Sequence, residues 1–217
     1  KGIEASLTLN QPLGPVQWNS TFTYTINRNK IKKLLKPTTL SNGEVVKQDM
    51  MDLGGLEIVN SRLFEGGSIG DLYVTALRTD SHGYIDVDYV NNTVAIDNKA
   101  GERQDGWIYA GNSQAKYMMG WRNSFSWKGV TLSCLVNARI GGIVVSQTQA
   151  MMDAYGVSTA TAEARDLGYV LIDGYKVPAV QKYYSTVGSG VGSMYVYSAT
   201  NVRLAELSLG YNIPVQK

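Results

Sequence analysis

Residues 116–140 read KYMMGWRNSFSWKGVTLSCLVNARI, two alternating segments joined at Lys128-Gly129. In the first, Tyr117, Met119, Trp121, Phe125 and Trp127 share one parity, and Met118, Gly120, Arg122, Ser124 and Ser126 share the other. After the turn, Val130, Leu132, Cys134, Val136, Ala138 and Ile140 oppose Thr131, Ser133, Asn137 and Arg139. Side chains alternate faces along a strand, so this pattern predicts a β-hairpin with one apolar and one polar surface. Each arm holds about ten residues or more, the length a tilted strand needs to cross a bilayer. A protein core and a lipid phase are both partners for such a face, and the rest of the chain has to decide between them.

The same alternation occurs elsewhere. Residues 3–9 set Ile3, Ala5, Leu7 and Leu9 against Glu4, Ser6 and Thr8, and Gln11-Pro12-Leu13-Gly14-Pro15 is expected to be a turn, since proline interrupts a ladder. Residues 16–27 turn Trp18, Phe22, Tyr24 and Ile26 one way and Gln17, Asn19, Thr21, Thr23, Thr25 and Asn27 the other. Residues 202–211 are extended again, with Pro214 expected to end the strand. Between these lie two long connections, near 28–115 and 141–199. The first contains strand-like residues 72–77 and a hairpin of 84–90 against 93–96, turning at Asn91-Asn92. In the second, residues 147–155 and 159–166 suit short helices capped by Ser146 and Ser158, with helix-favouring Ala, Met and Gln.

The fold class expected is therefore all-β: an antiparallel meander of about five long strands, near 3–9, 16–27, 116–127, 130–140 and 202–211. Its long loops carry a β-hairpin and one or two short helices. Tight turns alternating with very long loops form the asymmetry of an outer-membrane barrel, whereas long irregular loops count against a compact soluble domain. Five strands are too few to close a barrel, whose small members have about eight.

Composition narrows the functions. Charged residues make up 18% of the 217, low for a soluble domain, and Tyr (14) and Trp (4) greatly outnumber Phe (3). Such amphipathic rings suit a membrane interface or a carbohydrate-binding surface. A net charge of +2 argues against a nucleic-acid binder. The one basic cluster, Arg28, Lys30, Lys32, Lys33 and Lys36, is expected as a solvated loop flank, with headgroup contact as the sharper alternative. One cysteine, Cys134, and one histidine, His82, exclude an internal disulfide and multi-Cys or two-His metal sites. No run approaches the ~18 apolar residues of a transmembrane helix, so only a barrel would take this chain through a membrane.

The chemical motifs are weak. Asp80-Ser81-His82 suggests a hydrolase, but neighbours on an extended segment point apart. Gly66-Gly67-Ser68-Ile69-Gly70 lacks the phosphate-loop ending. Asp86 and Asp88, with Asn91, Asn92 and Asp97 nearby, carry oxygens suited to calcium but lack EF-hand spacing, and hydrated loop acids are the plainer reading. Tyr183, Tyr184, Tyr195 and Tyr197 would either stack on sugars or a partner, or brace their loop internally. No enzyme, cofactor or metal site is expected.

Several segments together resemble the SusC/RagA-like TonB-linked outer-membrane receptors of Bacteroidetes. They are Lys1-Gly2-Ile3-Glu4-Ala5-Ser6-Leu7, the run from Phe22 to Ile31, and Gly111-Asn112-Ser113-Gln114-Ala115-Lys116-Tyr117 leading into the run from Trp121 to Gly129. Arg139-Ile140-Gly141-Gly142 and the run from Ala199 to Tyr211 follow in the family's order. The resemblance implies late strands of a plugged barrel of about 22 strands, working with a SusD-like lipoprotein and TonB to import glycans or oligopeptides. TonB box, plug and remaining strands are absent from these 217 residues, so the chain is expected to be a receptor fragment whose apolar strand faces, when isolated, are covered by self-association or by folding back of the loops. The alternative is a secreted β-domain that binds carbohydrate through exposed aromatics.

Overall fold

A computed structural model describes residues 1–91 and 93–213. The chain opens with β1 (Gly2–Leu13) and β2 (Val16–Asn27). Seven shorter or intermediate strands follow: β3 (Thr38–Thr39), β4 (Val45–Val46), β5 (Met50–Leu56), β6 (Val59–Phe64), β7 (Asp71–Val74), β8 (Val87–Asp88) and β9 (Thr93–Val94). Next come β10 (Ile108–Asn112), β11 (Tyr117–Trp127), β12 (Val130–Ile140) and β13 (Ile143–Val145). Helices α1 (Gln147–Ala154) and α2 (Thr159–Leu167) precede β14 (Val170–Ile172), β15 (Tyr175–Val177) and α3 (Val180–Gly190). A 3₁₀ turn at Gly192–Tyr195, β16 (Val196–Ser198) and β17 (Asn201–Tyr211) complete the order. Pro214 and Asn92, the second half of the expected Asn91-Asn92 turn, lie outside the described residues.

Two compact units result. The first comprises Lys1–Asn29, Gln114–Gly142 and the segment from Ser198. It is one antiparallel sheet in the order β1-β2-β11-β12-β17, so spatial order follows chain order, as in an up-and-down meander. The five expected long strands are all present. The first is longer than expected: β1 continues through Pro12 to Leu13, and only Gly14-Pro15 turns. Proline is tolerated because β1 is the edge of this sheet and hydrogen-bonds on one side only. Gly14 has φ of +61°, the requirement of a type II′ turn at its first central position. Lys128 (+46°) and Gly129 (+84°) both take positive φ, giving the type I′ geometry that matches strand twist.

The β12–β17 pairing shifts register at Leu135/Val136, so Leu135 faces Glu206 while Val136 faces Leu204. Ala205 is the extra residue, and this bulge repairs a break in alternation. Val202 and Leu204 before it, and Leu207, Leu209 and Tyr211 after it, all meet the apolar parity of β12.

The second unit comprises Lys30–Ser113 and Ile143–Tyr197. It contains a four-stranded sheet, β10-β7-β6-β5, and the two-stranded pairs β3-β4, β8-β9, β13-β16 and β14-β15. Its core gathers Ile58, Val74, Val187 and Val191, all almost fully buried, with Tyr183 and Tyr195. The expected helices form with their expected caps: Ser146 Oγ accepts from Gln149 N (3.2 Å), and Ser158 Oγ accepts from Thr161 N (3.2 Å).

The chain is mostly β with antiparallel sheets, as expected, and two differences concern this unit. It carries a third helix, α3, beyond the one or two expected. Val, Tyr, Thr and Gly give α3 poor intrinsic propensity, but Val180, Tyr183 and Val187 form a buried stripe that packing rewards. The first long connection also holds a better-formed sheet than expected. Gly54-Gly55 sits at an irregularity in β5 and disguises the β5–β6 hairpin as loop.

Candidate functional site

The candidate functional surface is the five-stranded sheet, because its two faces have opposite chemistry. Register places Leu7-Phe22-Trp121-Val136-Leu204 in one row across all five strands of the apolar face. Gln11-Trp18-Phe125-Leu132-Leu209 forms another row on that face, nearer the tight turns. These apolar side chains stand open: Leu7 is 73% exposed, Leu204 59% and Leu209 75%. Trp18 stacks on Phe125 at 6.2 Å near the tight turns, and Tyr24 stacks on Tyr117 at 6.0 Å near the other end.

Between those rows lie two polar residues the alternation did not anticipate, Ser20 and Asn123, which face each other across β2 and β11. They serve the tryptophans. Trp18 Nε1 donates to Asn123 Oδ1 (3.1 Å) and Trp121 Nε1 donates to Ser20 Oγ (3.0 Å). Both indole N–H groups are therefore satisfied within the face, and Asn123 is 6% exposed. On a wetted surface water would serve them; away from water an unpaired N–H costs several kcal/mol. Polar residues at an apolar parity between tryptophans were the available sequence signal.

The opposite face is a hydrogen-bonded polar ladder. Ser133 Oγ donates to Ser124 Oγ (3.0 Å), and the hydroxyl pairs Ser126–Thr131 (3.0 Å) and Thr8–Thr21 (3.2 Å) repeat the motif. Arg122 reaches over Leu135 to make a two-pronged ion pair with Glu206, 2.9 Å at its shorter arm. A trough of about 430 Å³ opens above Gly120, walled by Thr23, Thr25, Asn137, Arg139, Asn201 and Arg203. A Cβ at Gly120 would sit 2.8 Å from Thr23 Oγ1, so the missing side chain lets Thr23 lean over the strand.

The tight turns lie at one end of this sheet, whereas β2, β11, β12 and β17 enter or leave the long connections at the other. Strands of 11–12 residues are about 36–40 Å long, and a tilt of about 45° gives a rise of about 25–28 Å. That matches the ~25 Å apolar band of outer-membrane barrels. Among the described residues, no helix is long and apolar enough to cross a membrane, and β1 and β17 are the two edges of an open sheet.

The loop motifs resolve locally. The Asp80 segment turns rather than extends: Asp80 Oδ1 accepts from His82 N (2.8 Å) and Tyr84 N (3.0 Å). This brings Ser81 and Asp80 within 3.4 and 3.8 Å of His82, closer than an extended segment allows, but both meet the same Nδ1 of an exposed ring. A relay needs the two ring nitrogens separately engaged. The Gly66–Gly70 run is the β6–β7 turn and leads into a strand. Asp86 binds Arg78 (2.7 Å), and Asp88 accepts from Val90 N, Asn91 N and Asn91 Nδ2. Asp97 accepts from Lys99 N, Asn92 lies outside the described residues, and the described residues include no acidic, His or Cys cluster able to hold a metal ion. The basic side chains of residues 28–36 are exposed.

The tyrosines mostly brace. Tyr195 donates to Asp153 Oδ2 (3.0 Å), Tyr183 packs edge-on against Tyr184, and only Tyr197 of the four is exposed. Burial, then neighbouring Tyr184 and Asp153, pushes the Tyr183 hydroxyl up to about 12, and burial and Asp153 raise Tyr195 further. A raised folded-state value means the neutral form is favoured by folding. Its stabilisation is full below the ordinary tyrosine range, about pH 10, and is lost as pH rises through about 12. An alkaline titration is thus expected to show exposed tyrosines ionising first and the buried pair ionising with loss of the unit's circular dichroism. Ionisation of all 14 tyrosines in one phase with structure retained would contradict this.

A scan against protein-family models returns no match and a search of curated proteins returns no significant match, so the functional reading rests on these residues and their geometry.

Proposed function

We propose that the five-stranded sheet is a sector of the wall of a transmembrane β-barrel in the bacterial outer membrane, within a SusC-like, TonB-dependent nutrient receptor. The observation that carries the proposal is the open apolar face whose indole N–H groups are satisfied within the face, by Asn123 and Ser20. In this reading that face meets lipid, and the ladder of Thr, Ser and Asn with Arg122–Glu206 lines the hydrated interior. The tight turns are periplasmic, and the residues near 28–115 and 141–199 form outer loops that meet substrate and a SusD-like lipoprotein. The cargo is a glycan or oligopeptide, driven inward through TonB. Open edges at β1 and β17 suit further strands on either side.

The isolated chain tests part of this reading. In detergent-free buffer its apolar face and open edges are expected to drive self-association, reversed by detergent above its critical micelle concentration. A monodisperse monomer in buffer alone, by light scattering, would instead favour the secreted carbohydrate-binding β-domain.

A further inference from the structure

In the second unit, a cleft of about 520 Å³ lies between residues 80–89 and the β14–β15 hairpin tip. Its walls include Tyr84, Tyr89 and Tyr175, each more than half exposed, with Asp80, Asp86 and Asp173. Exposed tyrosines are common enough singly, but three around one concavity are the composition of a recognition surface. The cleft is also preformed. Ile85 N donates to Asp173 Oδ2 at 2.7 Å, joining residues 88 positions apart, and the Tyr89 and Tyr175 rings meet at 6.3 Å.

The ring geometry selects the ligand class. Tyr89 and Tyr175 stand at 79° to each other, forming a corner rather than one flat platform. A flat sugar ring suits a platform; a compact cation suits a corner, where it can approach the electron-rich face of a ring. The nearby carboxylates agree in sign. Asp173 and Asp86 each commit Oδ2 to the chain, to Ile85 N and Arg78 Nε, and neither Oδ1 has a hydrogen bond to another described residue. We propose that this cleft binds the cationic side chain of a lysine or arginine within a peptide. The site rests on the second unit alone and stands or falls separately from the membrane reading.

Calorimetry on the whole chain, in detergent micelles, with N-acetylated and amidated tripeptides tests it. Ala-Lys-Ala is expected to bind about tenfold more tightly than Ala-Ala-Ala, from cation–π contact with more than one ring. Tyr89→Ala and Tyr175→Ala should each weaken Ala-Lys-Ala binding about two- to fivefold, while Tyr175→Phe, which keeps the ring, stays within about twofold. Both positions are exposed, and circular dichroism of each variant verifies the fold. Equal affinity for the two peptides, tighter binding of maltose than of Ala-Lys-Ala, or no effect of either alanine variant would overturn the proposal.

Discussion

In the proposed barrel wall, Trp121→Arg is expected to cost about 2–4 kcal/mol of stability, the penalty for arginine facing lipid near the middle of a strand, and Leu132→Arg, nearer the tight turns, about 1–2 kcal/mol. Combined, they should remove about 3–6 kcal/mol, a large share of the about 5–15 kcal/mol that a domain has to lose. The same change at Ser124 or Ser133, on the polar face of the same two strands, should cost within about 0.5 kcal/mol. The comparison is informative because Trp121 is 51% and Leu132 45% exposed. If water covered them, arginine would be tolerated on both faces alike. Urea unfolding of the protein in lipid vesicles gives the four values. Equal costs on the two faces would remove lipid as the partner of the apolar one.

The second large effect belongs to the helical part of the other unit. Gly188 lies where α3 meets α1, and a Cβ there would fall 2.4 Å from Ala150 O and 2.5 Å from Ala154 N. Those are backbone atoms within a helix, so they cannot rotate aside as a flexible side chain would. Ala150 is fully buried, and Tyr183 and Val187 pack into the same core. Gly188→Val must therefore push the helices apart, at about 3 kcal/mol or more. Gly190→Val on the same helix meets only the tip of the Ile96 side chain, 2.4 Å from the added Cβ, and should cost less. Chemical denaturation of the two variants ranks them. If Gly188→Val were the milder, α3 would not be held against α1 as described.

What was legible in the sequence was what repeats every two residues. The parities of β2, β11 and β12 required only counting, and the β2 and β12 boundaries follow from them. The β17 parity survives only through the bulge at Ala205, which nothing local announces. The ends of α1 and α2 were legible because Ser146 and Ser158 act within three residues of themselves. Helix α3 was not, because its stability comes from distant partners and contact through Gly188 rather than from its own residues. Pro12 hid the length of β1 for a related reason: whether proline ends a strand depends on whether that strand is an edge. Of the candidate sites, the two-faced sheet was visible early. The Asn123 and Ser20 partners of the tryptophans needed the register, and the tyrosine cleft needed the approach of Asp173 to Ile85.

Cys134 supplies the decisive probe, since it is the only cysteine and lies on the apolar face, between Asn123 and Leu207. A nitroxide attached there, in protein reconstituted into bilayers, can be tested for collision with dissolved oxygen and with a water-soluble nickel chelate. With the apolar face in lipid, strong oxygen and weak nickel contact are expected at Cys134, and the reverse for a label at Ser133→Cys in a Cys134→Ser background. Nickel contact at Cys134 equal to that at position 133 would contradict it.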